Sequence, residues 1–594
     1  MGFDYALVHV KYTIPPAILL TLLYRPLFTR LDVYKVVFLI TIAVVSTIPW
    51  DSYLIRTRIW SYPAHVIIGP TLFDIPLEEV FFFVIQTYTT SLLYLICSRP
   101  TFQPVFLRSE RSATHPLGPI NPTWQYYKLF GQLALALLLK SGLGMVNSGG
   151  PSTYMGLILV WAVPFLLLLW SLAYQFLLGL PFSNTLIPIF IPTLYLWIVD
   201  TLALKRGTWV INHGTKYGLQ LWDGLEIEEA VFFLATNTLI IFGQVAFDNA
   251  LSVICAFPCL FPEKSVLPSP ALLVRALLKP ASEYDEGRII GLQEAVHRLR
   301  AKSRSFYLAS SAFQGRIRTD LLLLYSFCRV ADDLVDTASS EQEAFLWISR
   351  LREFLKLAYS SEKTSDSLDE CIRKNFPLPT QSALIQLPTS KLSRQPLEEL
   401  LDGFDMDLSF SMATTSPPIR SNSDLELYAR RVAGTVAQMC LELIFFNHHS
   451  DLPAHEQKRV LQAGHRMGVA LQYVNIARDI SVDAKIGRVY IPATWMDEAD
   501  MTYESVLNEP HGRKIETLRS RLLDTAFEVY NGARDAIEDL PIETRGPIRV
   551  AVESYMEIGR VLRQDGYVVK AGRATVPKWR RIMVAWRTLG ATRK

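Results

Sequence analysis

Seven long apolar segments crowd into the first 265 of 594 residues, and they restrict this chain more than any other feature. They fall at about residues 10–28, 33–50, 75–97, 126–146, 154–178, 182–199 and 227–247, the last running on towards Phe261. Most are long enough to cross a hydrocarbon core of about 30 Å as helices. Charge is spread to match: roughly 29 of the first 265 residues are Asp, Glu, Lys or Arg, against roughly 86 of the remaining 329. A polytopic helical membrane region followed by a soluble-type domain is therefore expected, in a chain too long for one core. Pro15, Pro16, Pro164, Pro188 and Pro192 lie inside spans, where neighbouring helices can satisfy the freed carbonyls. The first apolar stretch is followed by another span, so it reads as a retained helix and not a cleaved leader. A net charge of +3 is near balance and gives no sign of a nucleic-acid partner. The six cysteines are scattered and show neither zinc spacing nor a disulfide framework.

Loops carrying Arg25, Arg30 and Lys35, then Arg99, Arg108, Arg111 and Lys128, fall on one side, which the positive-inside tendency makes cytosolic. Seven spans then put the N-terminus outside and the C-terminal domain in the cytosol. The region also contains a repeat with a period of about 150 residues. Asp51, Trp60 and Glu78-Glu-Val-Phe-Phe-Phe83 align with Asp200, Trp209 and Glu228-Glu-Ala-Val-Phe-Phe233. Each copy has three spans, and the 126–146 helix joins them. Four spans separate Glu78 from Glu228, so both acidic pairs enter the membrane from the same side and can face one cavity. Acidic side chains at the start of a membrane helix favour the macrodipole, and they are functional candidates because their burial is costly. A carboxyl group in an apolar pocket tends to stay neutral and can donate a proton. The neighbouring rings of Trp60, Phe81, Phe82, Trp209, Phe232 and Phe233 could stabilise a cation or be lipid-facing bulk.

These motifs, over about residues 1–250, resemble the membrane-bound lycopene β-cyclases of fungi, archaea and some actinobacteria. In bacteria these are often two small subunits, and the repeat units at about 1–100 and 150–250 look like those subunits fused. The resemblance implies a redox-neutral cyclisation. A proton adds to the ψ-end of a linear carotene, the carbocation closes a six-membered ring, and a base removes a proton. Glu78, Glu79, Glu228 and Glu229 are the expected proton-handling groups. No GxGxxG follows a strand here, so no dinucleotide is indicated. A seven-helix retinal sensor is the rival, but residues 227–261 hold no lysine.

A proline-rich stretch, 258–270, marks a linker placed at 251–284. Beyond it the pattern is amphipathic helices with few strand signals, so residues 285–594 read as an all-α domain and the whole chain as all-α. Residues 361–395, rich in Ser, Thr and Pro, are expected to be a surface insertion. Asp332 and Asp336 are four apart in an apolar run and share a helical face. Asn475, Asp479 and Asp483 recur at i, i+4 and i+8 on a second face. Two such faces across a helical cavity make an all-oxygen site for Mg²⁺ (or Mn²⁺), with water and phosphate completing the shell.

The second half is similar to the head-to-head prenyl synthases, phytoene synthase most closely, over about 285–585. Lys302-Ser-Arg-Ser-Phe-Tyr-Leu-Ala309 looks like the N-terminal substrate-lining segment, and Arg329-Val-Ala-Asp-Asp-Leu-Val-Asp336 like the first aspartate motif. Tyr428-Ala-Arg-Arg-Val-Ala-Gly-Thr-Val436 looks like the flexible helix under the active site. Asn475–Asp483 followed by Gly487-Arg-Val-Tyr-Ile-Pro492 looks like the second aspartate motif and its tail. Ala437 stands where many relatives have glycine, and Asp333 where Glu is common. The resemblance implies Mg²⁺ bound by Asp332, Asp336, Asn475, Asp479 and Asp483. It also implies substrate contacts from Ser303, Phe306, Tyr307, Arg329, Tyr428, Val432, Gln472, Asn475, Arg478, Arg488 and Tyr555. Two geranylgeranyl diphosphates would condense through a cyclopropyl intermediate to phytoene; reduction by NADPH would give a squalene-type product instead. The fused order is similar to that of the fungal bifunctional proteins of this pathway, with the desaturase a separate partner. The alternative is a membrane-anchored squalene-type synthase whose membrane part is a scaffold.

Overall fold

The computed structural model describes residues 2–63, 65–108, 123–263, 267–360, 365–412, 417–448, 452–564, 567 and 576–590. Arg111, residues 264–266 of the expected linker and residues 361–364 of the expected insertion lie outside them. The chain divides into two compact units, Met1–Ile289 and Ile290–Lys594.

The first unit holds seven helices long and apolar enough to cross a membrane. They are α1 (Asp4–Leu27), α2 (Arg30–Arg56), α3 (Leu77–Ser98), α4 (Trp124–Ser148), α5 (Gly150–Gly179), α6 (Leu186–Arg206) and α7 (Ile227–Ala256). α1 carries a π-turn at His9–Thr13 just before its two prolines. In the first copy α1 and α2 pack on α3; in the second α5 and α6 pack on α7. The two copies meet where α3 packs on α7.

Their contacts follow a pseudo-twofold axis. Strand β1 (Trp60–Ser61) pairs antiparallel with β2 (Val210–Ile211), in register Trp60 with Ile211 and Ser61 with Val210. Ser61 and Val210 are themselves counterparts in the repeat, so the pairing is isologous. Deeper along the axis Gln86 Nε2 donates to Thr236 Oγ1 at 2.9 Å, again between counterparts. Each copy also ties a helix end to its own loop with an exposed ion pair, Arg56–Asp74 at 2.7 Å and Lys205–Asp223 at 2.6 Å.

The stretch expected as a linker is partly structured. α7 continues to Ala256, and α8 (Pro270–Leu277), capped by Ser269 Oγ accepting from the Leu272 amide, packs back on α7. Leu272, Leu273 and Ala276 are buried there.

The second unit is built from helices, with no strand among the described residues. α9 (Glu286–Lys302) leads into α10 (Arg304–Ser310) and α11 (Gly315–Asp336). Residues 361–395 do not loop outward as expected. Their described part forms α12 (Ser365–Asn375) and α13 (Leu378–Ile385), and Ile372, Phe376, Ala383 and Leu384 join the main core. Proline here starts a helix instead of breaking structure: Pro377 is the N-cap of α13 and Pro379 lies in its first turn. α14 (Arg394–Met412), α15 (Asn422–Ala429), a π-turn at Arg430–Gly434, α16 (Thr435–Asn447), α17 (Ala454–Lys485) and α18 (Ile542–Leu562) complete the frame of the site. The π-turn packs tightly on α17: a Cβ on Gly468 would collide with the Ala433 carbonyl, and one on Gly434 with the His465 ring.

Candidate active sites

In the second unit both acidic faces are helical, as their spacing requires. Asp332, Asp333 and Asp336 end α11, and Asn475, Asp479 and Asp483 lie on α17. Each motif brings its own arginine. Arg329 Nη1 lies 2.9 Å from Asp332 and also binds Asp333, which Lys302 approaches at 3.3 Å. Arg488 Nη2 lies 2.9 Å from Asp336, and Arg478 Nε 2.8 Å from Asp479. Arg478 also donates to Asn475 Oδ1, which accepts from the Tyr555 hydroxyl at 2.9 Å.

A carboxylate the sequence did not single out lies within electrostatic reach of both motifs. Asp407, buried on α14, accepts from Tyr490 at 2.7 Å and Tyr428 at 3.3 Å, whose rings stack with centroids 4.7 Å apart. Asp332, Asp336 and Asp483 are all its electrostatic neighbours. Burial, then Asp336, raises the Asp332 carboxyl to about 7. Burial, then Asp479, raises Asp483 to about 7. Burial raises Asp407 to about 6, against the opposing pull of Arg488 and Tyr490. Buried carboxyl groups whose ionisation is resisted are hard oxygen donors of the kind a divalent cation takes. Among the described residues no three acidic, His or Cys side chains converge to hold one ion.

Beside this acidic end lies an apolar cavity of about 320 Å³. Phe306, Val432, Gln472, Asn475 and Tyr555 line it, and Phe306 stacks on Tyr555 at 5.5 Å. The other expected substrate residues fare differently. Ser303 Oγ caps α10 by accepting from the Phe306 amide at 3.4 Å. Tyr307 is not among the lining residues, and Tyr428 holds Asp407.

In the first unit the structure separates the members of each glutamate pair. Glu78 Oε1 accepts the Ile68 amide at 2.7 Å, and Glu228 Oε1 the Tyr217 amide at 2.8 Å. These counterpart bonds pin the loop in front of each helix. Glu79 instead accepts the hydroxyls of Tyr5 and Tyr62, the latter at 2.8 Å, and Glu229 accepts that of Tyr154 at 2.7 Å. Glu79 and Glu229 line one small cavity with Asp200, Trp60 and Trp209. Among the described residues, neither carboxylate oxygen of buried Asp51 or Asp200 has a partner in good hydrogen-bond geometry. Tyr5 and Tyr154 were missed by sequence reasoning, although they are 149 residues apart, the offset that relates Asp51 to Asp200.

Comparison with known proteins agrees with this geometry. Residues 299–580 match the squalene/phytoene synthase family, which sets the class of the second unit. Across the full length the chain is 65% identical over 589 residues to the bifunctional lycopene cyclase/phytoene synthase of Leptosphaeria maculans, covering 99% of this chain and 100% of that one. It is 65% identical over 591 residues to the protein of the same name from Pyrenophora tritici-repentis, with 100% of both covered. The counterpart in Gibberella fujikuroi is 56% identical over 591 residues, 99% of this chain and 100% of that one. The chain belongs to the family of bifunctional lycopene cyclase/phytoene synthases.

Proposed function

We propose that the second unit condenses two geranylgeranyl diphosphates head to head to phytoene, and that the first cyclises lycopene to β-carotene by way of γ-carotene. The observation that carries the condensation is the two acidic helix faces, Asp332 and Asp336 on α11 and Asn475, Asp479 and Asp483 on α17, together with an apolar cavity lined by Phe306, Asn475 and Tyr555. Mg²⁺ or Mn²⁺ would be held by Asp332 and Asp336 on one side and Asn475, Asp479 and Asp483 on the other. Bound there, it supplies the charge that lets diphosphate leave. Arg329, Arg478 and Arg488 then add charge-assisted contacts to the phosphate oxygens. Asp407 presents a third acidic group to the same space, fixed by two tyrosines. In the first half-reaction one C–O bond breaks, the second molecule's double bond attacks the allylic cation, and a proton is lost on forming the cyclopropyl intermediate. In the second the remaining diphosphate leaves, the skeleton rearranges, and a further proton is lost. The apolar walls keep water from the cations.

For the cyclase the carrying observation is that Glu79 and Glu229, from the two copies, line one cavity with aromatic rings. One proton enters the polyene, one C–C bond closes the ring, and one proton leaves, so the product is an isomer. The apolar helices anchor the protein in a bilayer, and the basic loops favour a cytosolic second unit. A separate carotene desaturase must act between the two steps. The test is to incubate the purified protein with geranylgeranyl diphosphate and Mg²⁺, with and without NADPH, and separately with lycopene. Phytoene in both nucleotide conditions and cyclised product from lycopene are expected; a squalene-type product only with NADPH would overturn the first assignment.

A further inference from the structure

We propose that a partly open apolar groove in the first unit binds one linear C40 polyene lengthwise, with one end against a stack of Trp50, Phe232 and Trp161. The inference rests on the cyclase reading above and adds where the substrate lies. The groove, of about 420 Å³, runs between α2 and α5 along α7. Its lining on α7 extends from Phe232 to Ala250, 18 residues, or about 27 Å at the rise of a helix. That is most of a hydrocarbon core of about 30 Å. The walls are hydrocarbon, with Phe38, Ile42, Phe165, Leu168 and Ile240 among them. Its polar side chains are largely engaged. Ser46 and Thr47 donate to the Ala43 carbonyl, Thr236 to the Phe233 carbonyl, and Gln86 to Thr236. A ligand with a polar headgroup would therefore lose hydration there for little return, whereas a polyene loses none. The far end is lined by Leu273, Val274 and Leu277 of α8.

The near end is an aromatic box. Trp50 and Trp161 stack at 4.9 Å, and Trp50 lies nearly parallel to Phe232 at 5.5 Å. Trp161 and Phe232 line the groove and Trp50 backs them. Both indoles are fixed between α2 and α5, Trp50 Nε1 donating to the Leu157 carbonyl at 3.0 Å and Trp161 Nε1 to the Ser46 carbonyl at 3.2 Å. Phe232 lines both the groove and the small carboxylate cavity. Glu229 lies one helical turn before it on α7. A polyene end at the box thus lies beside the carboxyl groups, with ring faces able to stabilise a carbocation.

The box also breaks the repeat's symmetry. The counterpart of Trp50 is Val199, and that of Trp161 is Tyr12. At that second position Tyr195 donates to the Tyr12 carbonyl at 2.7 Å, tying α6 to α1. Both carboxylates therefore serve one end of one groove, and the two ends of a symmetric polyene react in successive binding events.

The test uses full-length protein in bilayers. Ile240→Cys, midway along the groove, and Val274→Cys, at its far end, are labelled with a membrane-permeant maleimide, with and without lycopene, and quantified by peptide mass. Lycopene should slow labelling at both positions at least tenfold. Trp161→Leu placed on the Ile240→Cys chain should keep that protection yet cyclise lycopene at least tenfold more slowly, with Trp161→Phe recovering much of the rate. Protection without any cyclisation by the wild-type chain would sink the cyclase reading and leave the groove standing. Cyclisation with unchanged labelling at both cysteines would overturn the groove; a Trp161→Leu rate equal to wild type would overturn the box.

Discussion

At the scale of single residues, adjacent glutamates that look equivalent in the sequence have different work. Glu78 and Glu228 accept loop amides, a bond that a glutamine oxygen can also accept. Glu79 and Glu229 meet tyrosine hydroxyls in the central cavity. From the sequence all four are expected as proton-handling groups; only the second of each pair lines the small cavity, so the proposed cyclase would use Glu79 and Glu229. Glu79→Gln and Glu229→Gln should each slow lycopene cyclisation by on the order of 100-fold or more, with Glu78→Gln and Glu228→Gln much milder. Assaying the four variants in membranes checks this, and four normal rates would return all the glutamates to a structural role. Asp407→Asn in the other unit should lower phytoene formation by on the order of 100-fold while leaving cyclisation unchanged. A phytoene rate near wild type would remove Asp407 from the site. No local motif marks Asp407, because its partners Tyr428 and Tyr490 reach it from other segments of the chain.

At the scale of elements, helix position was legible wherever an apolar period ran long. All seven spans expected from hydropathy are helices. The i, i+4 carboxylates fall on α11 and α17 as their spacing demands. What misled was composition: Ser, Thr and Pro between 361 and 395 suggested an outward loop. In α13 proline serves as cap and first-turn residue, and the apolar residues between decide the burial. The π-turn at Arg430–Gly434 was equally hidden, since an extra residue in a helical turn leaves no mark on a short period. Its packing makes a prediction. Gly468→Ala should push α17 off the Ala433 carbonyl and destabilise the second unit by about 1–3 kcal/mol. The unfolding midpoint would fall in a thermal melt; an unchanged melt would show that the two backbones part without cost.

At the scale of the whole molecule, the unit boundary decides how the chain can be cut. α8 buries Leu272, Leu273 and Ala276 within the first unit, so a fragment beginning at Ser269 would expose them. A fragment of residues 281–594 should be soluble and condense geranylgeranyl diphosphate, and it should be better behaved than 269–594 by size-exclusion chromatography. If only the longer fragment is active, α8 belongs functionally to the synthase. Removing divalent cations with EDTA from the full-length protein should abolish phytoene formation and spare lycopene cyclisation, with Mg²⁺ restoring the former. Loss of both activities would tie the cyclase to a metal as well. The amino-acid sequence by itself determined the seven long apolar helices, the all-α second half, the repeat and the two acidic helix faces. Each follows from hydrophobic period, charge placement or fixed spacing along one helix, all local properties of the chain. Only the tertiary structure decided which glutamate of each pair meets the cavity, that Asp407 is held by Tyr428 and Tyr490 near the aspartate motifs, and that Trp50 stacks on Trp161. Those facts depend on which residues from distant segments come within a few ångströms of one another, and packing, not spacing along the chain, sets that.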